Sequence, residues 1–262
     1  MANKVFIVVP AFGQQITAAT FMAVSALQAQ LAAKSIPAVV TTFSFPDIAE
    51  LRSIFMTVWY DTMPDSDYLL FVDADMSFPA ALVLDMILFG EPLVGAIYRQ
   101  RNPEISWAGS GTGATTTERR GDFVLVEGVG MGCTIIKREV VTRMLAQMPE
   151  LVDTRISMHP AGKLLASAGV KRMIRAFEKI DMPERGIVSE DLSFCIRWGR
   201  CGGQVWANIG HRISHVGPYD YSGCYGEYAA AAEAEAARLA QAQAQAEHTV
   251  AQIIKPHLVA AE

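Results

Sequence analysis

The stretch DYLLFVDADMSFP, residues 67–79, decides how the chain is read. Its apolar run, Tyr68 to Val72, has the length and composition of a strand buried on both faces. Two carboxylates, Asp73 and Asp75, close the run with only Ala74 between them. Ser77 and Pro79 then read as a helix start, with Ser as N-cap and Pro in the first turn. The acids therefore stand at the C-terminal end of a strand and ahead of a helix. In open α/β sheets that edge is where ligands bind.

Working outward, KVFIVVP at 4–10 reads as a buried strand and 14–34 as a helix with apolar positions at helical spacing. IPAVVTTF at 36–43 is a second strand. Asp47 caps a helix over 48–62, and 68–73 is the third strand. Residues 79–89 form a helix and 92–98 a strand. This alternation predicts an α/β fold: a mostly parallel sheet with helices on both faces. Past residue 100 it stops. AGSGTGATTTERRG at 108–121 is a polar loop, and its GSGTG reads as mobile. DFVLVEG and CTIIKRE are shorter strands, followed by a helix over 138–147. Residues 150–187 show the weakest periodicity. SEDLSFCIRWGRCG at 189–202 is a helix stopping at Gly202, and QVWANIGHRISHVG gives two short strands. The tail from 226 to 254 is rich in Ala, Glu and Gln without internal Gly or Pro, so propensity makes it a helix.

At 262 residues, 51% hydrophobic and 19% charged, the chain can bury a large core. A net charge of -5 argues against coating nucleic acid, which needs a basic patch, though not against a nucleotide held through a metal. The four cysteines show no CxxC spacing, which fits a reduced, cytoplasmic protein. Lys4 and the apolar run after it resemble a signal peptide, but Pro10, Gly13, Gln14 and Gln15 interrupt the run. No uninterrupted apolar run reaches transmembrane length.

On an extended segment, side chains at i and i+2 point to one side, so Asp73 and Asp75 can face one hard cation. Alternatively one takes the metal and the other a ribose hydroxyl. Oxygen ligands suit Mg²⁺ or Mn²⁺, which usually share their coordination with substrate phosphates. Asp65 and Asp67 make a second DxD, but it precedes the strand and reads as a solvated turn. Glu190 and Asp191 in VSED either complement a helix dipole or supply a general base. His215 in ISHVG is a structural residue or completes a metal shell begun by Asp75. Gly128, Gly130 and Gly132 alternate in EGVGMGC, without the dinucleotide-binding spacing. They leave one strand face bare for close approach of a ligand or backbone, or they mark a bend.

In this order, VPAFG, Arg52, DYLLFVDADMSFP, VGAIYRQR, EGVGMGC, SED and HVG resemble the GT-A glycosyltransferases, especially compact bacterial and phage-type members near glycosyltransferase family 2. The resemblance covers about residues 4–217. It implies a Rossmann-like nucleotide-binding sheet over 1–100, an acceptor half over 101–225 and, outside it, the helical tail 226–262. It further implies a transferase that moves a sugar from a nucleotide-diphosphate donor to a glycan or other hydroxyl acceptor, with inversion. Pro10, Ala11 and Phe12 would cradle the base, Arg52 would reach the nucleotide, and Asp73 with Ala74 would meet ribose or metal. Asp75 and His215 would ligate Mn²⁺ or Mg²⁺, Gly130 would leave room for sugar and acceptor, and Asp191, or Glu190 beside it, would be the base. Ser53 stands where many relatives carry Asn, and 150–187 matches nothing in the family. Two rivals remain open: a catalytically weak nucleotide-sugar-binding scaffold, and a DxD phosphatase. The phosphatase pattern wants Thr or Val where Ser77 stands, and usually the first strand. The Ala-rich tail also predicts a homodimer contact, because small side chains let helices approach closely.

Overall fold

The computed structural model describes residues 4–102, 104–109 and 118–259, and of residues 164 and 245–259 the backbone alone. The first half runs β1 (Val5–Pro10), α1 (Ala18–Ala33), β2 (Ala38–Phe43), α2 (Ile48–Thr62), β3 (Tyr68–Val72), β4 (Met76–Ser77), α3 (Ala80–Phe89), β5 (Leu93–Ala96) and β6 (Tyr98–Arg99). Next come β7 (Trp107–Ala108), β8 (Arg119–Arg120), β9 (Phe123–Val126), β10 (Cys133–Lys137) and α4 (Arg138–Gln147). The segment of weak periodicity holds β11 (Val152–Asp153), α5 (Gly162–Ser167), β12 (Met173–Ile174), β13 (Asp181–Met182) and β14 (Gly186–Ile187). The chain finishes with α6 (Glu190–Arg200), β15 (Val205–Asn208), β16 (Ile213–Val216), β17 (Asp220–Gly223) and α7 (Tyr225–Val259).

The main sheet has eight strands in the order β2-β1-β3-β10-β5-β15-β9-β8. β1 pairs parallel with β2 and β3, and β15 parallel with β5. β10 lies antiparallel between β3 and β5, and β9 antiparallel to β15. The sheet is thus mostly parallel in direction, with β10 and β9 reversed. Every residue of β1 and β3 is buried, as strands covered on both faces require.

Local chemistry sets the ends. Asp47 Oδ1 accepts from the Glu50 amide at 2.9 Å, capping α2 as its sequence predicts. α1 starts later than the expected residue 14. Thr17 is its cap, accepting from the Thr20 amide at 3.1 Å, and a short 3-10 turn over Phe12–Gln14 precedes it. Ser77 is not a helix cap. It lies in β4, paired with Ser214 of β16, and Pro79 holds the N-cap position of α3 without a side-chain bond. Gly90 closes α3 in the left-handed conformation, at φ 77°. Arg138, the first residue of α4, donates to the carbonyls of Trp59, Tyr60 and Met63 and so caps α2 across space.

The segment 150–187 owes its order to its neighbours. Ala161, Leu165, Val170 and Met173 pack against Ile54 of α2. Phe177 is fully buried, stacked on Phe194 of α6 at 4.6 Å and edge-on to Phe71 of β3 at 5.5 Å. Residues 110–117 of the expected mobile loop lie outside the described residues. Met1–Cys224 form one compact unit. The second, Tyr225–Glu262, contains α7, and Leu239 on it is exposed. No helix among the described residues is long and apolar enough to cross a membrane.

Candidate active site

β3 delivers the DxD segment to the sheet edge. Asp73 N donates to Gly132 O at 3.0 Å, and Met76 N donates back to Asp73 O at 3.2 Å. The segment is therefore a turn rather than the extended run its spacing predicts, and the two carboxylates acquire different partners. β4 pairs with β16 so that Met76 faces His215, and Val216 N donates to Asp75 O at 2.7 Å. This register sets His215 Nε2 3.4 Å from Asp75 Oδ1. His215 Nδ1 lies 3.2 Å from Arg99 O. A carbonyl only accepts, so Nδ1 carries a proton and Nε2 faces the carboxylate. Arg101 Nη1 lies 3.0 Å from Asp75 Oδ2. Burial pushes the Asp75 carboxyl up, but the His215 contact and the Arg101 charge hold it below the usual range.

Asp73 turns the other way, to Arg52. The Arg52 side chain is 3% exposed; Nη2 donates to Asp73 Oδ1 at 2.9 Å, and Nη1 donates to Glu190 Oε1 at 2.7 Å and to Asp191 Oδ1. Its Nε has no hydrogen-bond partner among the described residues. One guanidinium from α2 thus ties the DxD turn to the start of α6, where Ser189 caps the helix by accepting from Leu192 N. Asp191 Oδ2 also accepts from Met131 N at 3.1 Å. A helix start by itself favours the charged form of a carboxylate. In the structure burial dominates: it raises the carboxyl to about 6, with Arg52 pulling down and Glu190 and Asp73 pushing up.

The predicted residues meet in a cleft of about 710 Å³. Pro10, Phe12, Arg52, Asp73, Ala74, Asp75, Glu190, Asp191 and His215 all line it. Ala11 is buried and does not line it, and Gly130 lies outside. Gly130 borders a smaller cavity of about 240 Å³ with Gly128, Trp107, Ser189 and Asp191, so Asp191 faces both spaces and Glu190 only the larger. Two of the alternating glycines, Gly130 and Gly132, also make room for a neighbouring ring. A Cβ on Gly132 would sit 2.6 Å from the Tyr98 hydroxyl, and one on Gly130 would collide with it as well. The buried Tyr98 ring fills that face, and Gly132 N donates to its hydroxyl at 3.2 Å. Burial keeps this phenol neutral far above its usual pKa.

Arg101 and Tyr98, and the cleft wall of Phe45, Pro46 and Ile48, receive no role from the sequence. The arginine and tyrosine lie in YRQR, directly after a strand, where strand-end position alone could have singled them out. Phe45 stacks on His159 at 5.9 Å, a contact from the aperiodic segment that no local pattern announces.

No group of three metal-ligating side chains occurs among the described residues. Asp75 and Nε2 of His215 nevertheless converge, and the Arg99 carbonyl orients the ring as a ligand-supporting partner does. Such a pair fits Mg²⁺ or Mn²⁺ bound through few protein ligands and completed by phosphate oxygens and water, not an all-protein cage.

No protein-family model matches the chain, and no curated protein sequence matches it. Among solved structures it is similar to the A197 protein from STIV, with 16% identity over 81% of this chain and 85% of that one and a TM-score of 0.45. It is similar to Drosophila β-1,4-galactosyltransferase 7, solved with manganese, UDP-Gal and xylobiose, with 13% identity over 85% and 71% and a TM-score of 0.44. A glycosyltransferase involved in glycosylation of the major capsid of PBCV-1 aligns with 8% identity over 62% and 74% and a TM-score of 0.32. The likenesses thus include glycosyltransferases, and at these scores the reading of the site rests on the chain's own geometry.

Proposed function

We propose that this protein is a divalent-metal-dependent glycosyltransferase that moves a sugar from a nucleotide-diphosphate donor to an acceptor hydroxyl with inversion. The observation that carries the reading is the convergence on one cleft of the loop after β1, Arg52 of α2, the DxD turn after β3, the acidic start of α6 and His215 of β16. Ligands of α/β sheets bind at that edge.

Pro10, Phe12, Phe45 and Ile48 offer the donor base an apolar wall, and Asp73 lies where a ribose hydroxyl or the metal can meet it. Asp75 and His215 would hold the Mg²⁺ or Mn²⁺, which supplies Lewis-acid stabilisation of the departing diphosphate. Asp191 takes the proton of the acceptor hydroxyl. The acceptor oxygen attacks the anomeric carbon, and the bond to the diphosphate breaks with its electron pair leaving on phosphate. Direct displacement inverts the anomeric centre. Asp191 is preferred over Glu190 because it alone borders the smaller cavity too, where an acceptor approaches. Asp191 is the sole charged side chain lining that cavity among the described residues, which favours an acceptor uncharged near its reacting hydroxyl.

The test is to incubate the protein with Mn²⁺ and a panel of nucleotide sugars without acceptor. Slow donor hydrolysis that disappears in EDTA and in Asp75→Ala supports the transferase. Donor binding without any turnover assigns a scaffold instead. Hydrolysis of p-nitrophenyl phosphate with the nucleotide sugars untouched assigns a phosphatase.

A further inference from the structure

We propose that Arg101 is a placeholder for the divalent cation at Asp75, and that the cation's arrival releases it to bind the donor diphosphate. This rests on the metal site of the preceding reading. Both Asp75 oxygens are engaged, Oδ2 by Arg101 Nη1 at 3.0 Å and Oδ1 by His215 Nε2 at 3.4 Å. A cation that takes Asp75 and His215 therefore competes with Arg101 for one carboxylate. The cleft also decides which arginine moves. Asp73, Asp75, Glu190 and Asp191 line it, opposed by Arg52 and Arg101. Arg52 is buried and holds three carboxylates. The Arg101 side chain is 46% exposed and holds one. A half-exposed single pair is weak, so its exchange is easy.

A Cβ on Gly217 would lie 2.9 Å from Arg101 Cδ, so the bare glycine gives the arginine stem its space. Once displaced, Arg101 remains at the mouth of the cleft beside the bound cation, where a diphosphate adds new negative charge. A guanidinium presents a planar fork suited to phosphate oxygens. Cation and diphosphate binding are then coupled, and by linkage each raises the affinity of the other by the same factor. The bland alternative is a surface ion pair that contributes nothing beyond Asp75.

Two titrations on the full chain separate these. Mn²⁺ alone is followed by electron paramagnetic resonance, and inorganic pyrophosphate at saturating Mn²⁺ by calorimetry. Arg101→Gln is expected to bind Mn²⁺ about 2- to 5-fold tighter, because a competitor worth a weak ion pair is gone. It is expected to bind pyrophosphate about 10-fold weaker, because a charge-assisted contact is lost. Arg101→Lys, which keeps the charge without the fork, should fall between parent and glutamine in both. Opposite signs are the signature. Unchanged affinities, or both moving the same way, overturn the role of Arg101 while leaving the metal site standing. If Asp75→Ala binds Mn²⁺ as well as the parent does, the metal reading itself falls.

Discussion

Replacing Arg52 with Met tests whether one buried guanidinium organises the cleft. The Arg52 side chain is 3% exposed, against 25%, 14% and 20% for the side chains of Asp73, Glu190 and Asp191. Methionine keeps the volume and removes the charge, so three carboxylates crowd together without a counter-charge. Breaking a buried ion pair by removing one partner costs about 3–5 kcal/mol. The three acids remain partly exposed on the cleft, which places the loss near the lower end, about 3 kcal/mol. For a chain of this size each kcal/mol is worth about 2–4 °C in Tm, so the transition should fall by about 6–12 °C. Arg52→Lys keeps the charge, but one ammonium cannot occupy both guanidinium nitrogens' positions, so its loss should be smaller. The decisive arm is compensation: adding Asp73→Asn or Glu190→Gln to Arg52→Met should restore part of the lost stability, since each removes a repelling charge. Calorimetric unfolding of the single and double variants measures all of this. A Met variant melting within a degree of the parent, or strictly additive double variants, would refute the idea that Arg52 balances these acids.

Five further outcomes are expected. The carboxyl of Asp191 is raised to about 6 and works as a base only when ionised, so kcat/KM should climb as pH rises through about 6 and level off above it. Asp191→Asn should lower turnover about 10²–10⁴-fold with donor binding kept, and NMR of fresh product from the parent should show inversion; a retained anomer rejects direct displacement. His215→Ala should weaken Mn²⁺ binding with the circular dichroism unchanged, and an unaltered Mn²⁺ titration returns this histidine to a structural role. Phe177→Ala should cost about 3–5 kcal/mol in urea unfolding, because the ring lies between Phe71 and Phe194; a cost below 1 kcal/mol removes it as the anchor of 150–187. A chain ending near Gly226 should lose self-association by light scattering, and equal monomer masses with and without the tail dispose of the dimer contact.

What was legible in the sequence was local. The Asp47 cap of α2, the extents of α2 and α4, the burial of β1 and β3, and the helical tail follow from side chains a few residues apart. What was not legible depends on partners distant in sequence. Ser77 has the chemistry of a cap, yet pairing with Ser214 draws it into a strand. The i, i+2 rule places Asp73 and Asp75 on one side, yet it holds only for extended backbone, and the bond from Met76 N to Asp73 O makes a turn. The bare face of Gly130 and Gly132 was visible, but not that Tyr98 fills it. Residues 150–187 looked aperiodic because α2 and α6, rather than their own pattern, hold them.

The break in alternation after residue 100 is itself what builds the candidate site. Had the chain continued as βαβ units, β5 would lie directly beside β3. Instead β10 enters antiparallel between them, with Cys133 opposite Val72 at the end of β3. The residues leading into β10 therefore arrive at the DxD turn from the open edge. Gly132 O takes the Asp73 amide, and the Met131 amide reaches Asp191 Oδ2 at 3.1 Å. Arg52 completes the circuit from Asp191 back to Asp73. One reversed strand thereby fixes the donor-side carboxylate and the proposed base to the same backbone turn. A shift of that turn moves both together, so their spacing depends less on the mobility of either loop. A base set apart from the donor by a rigid link is what an in-line displacement needs, because misplacement by about 1 Å can cost 10²-fold in rate.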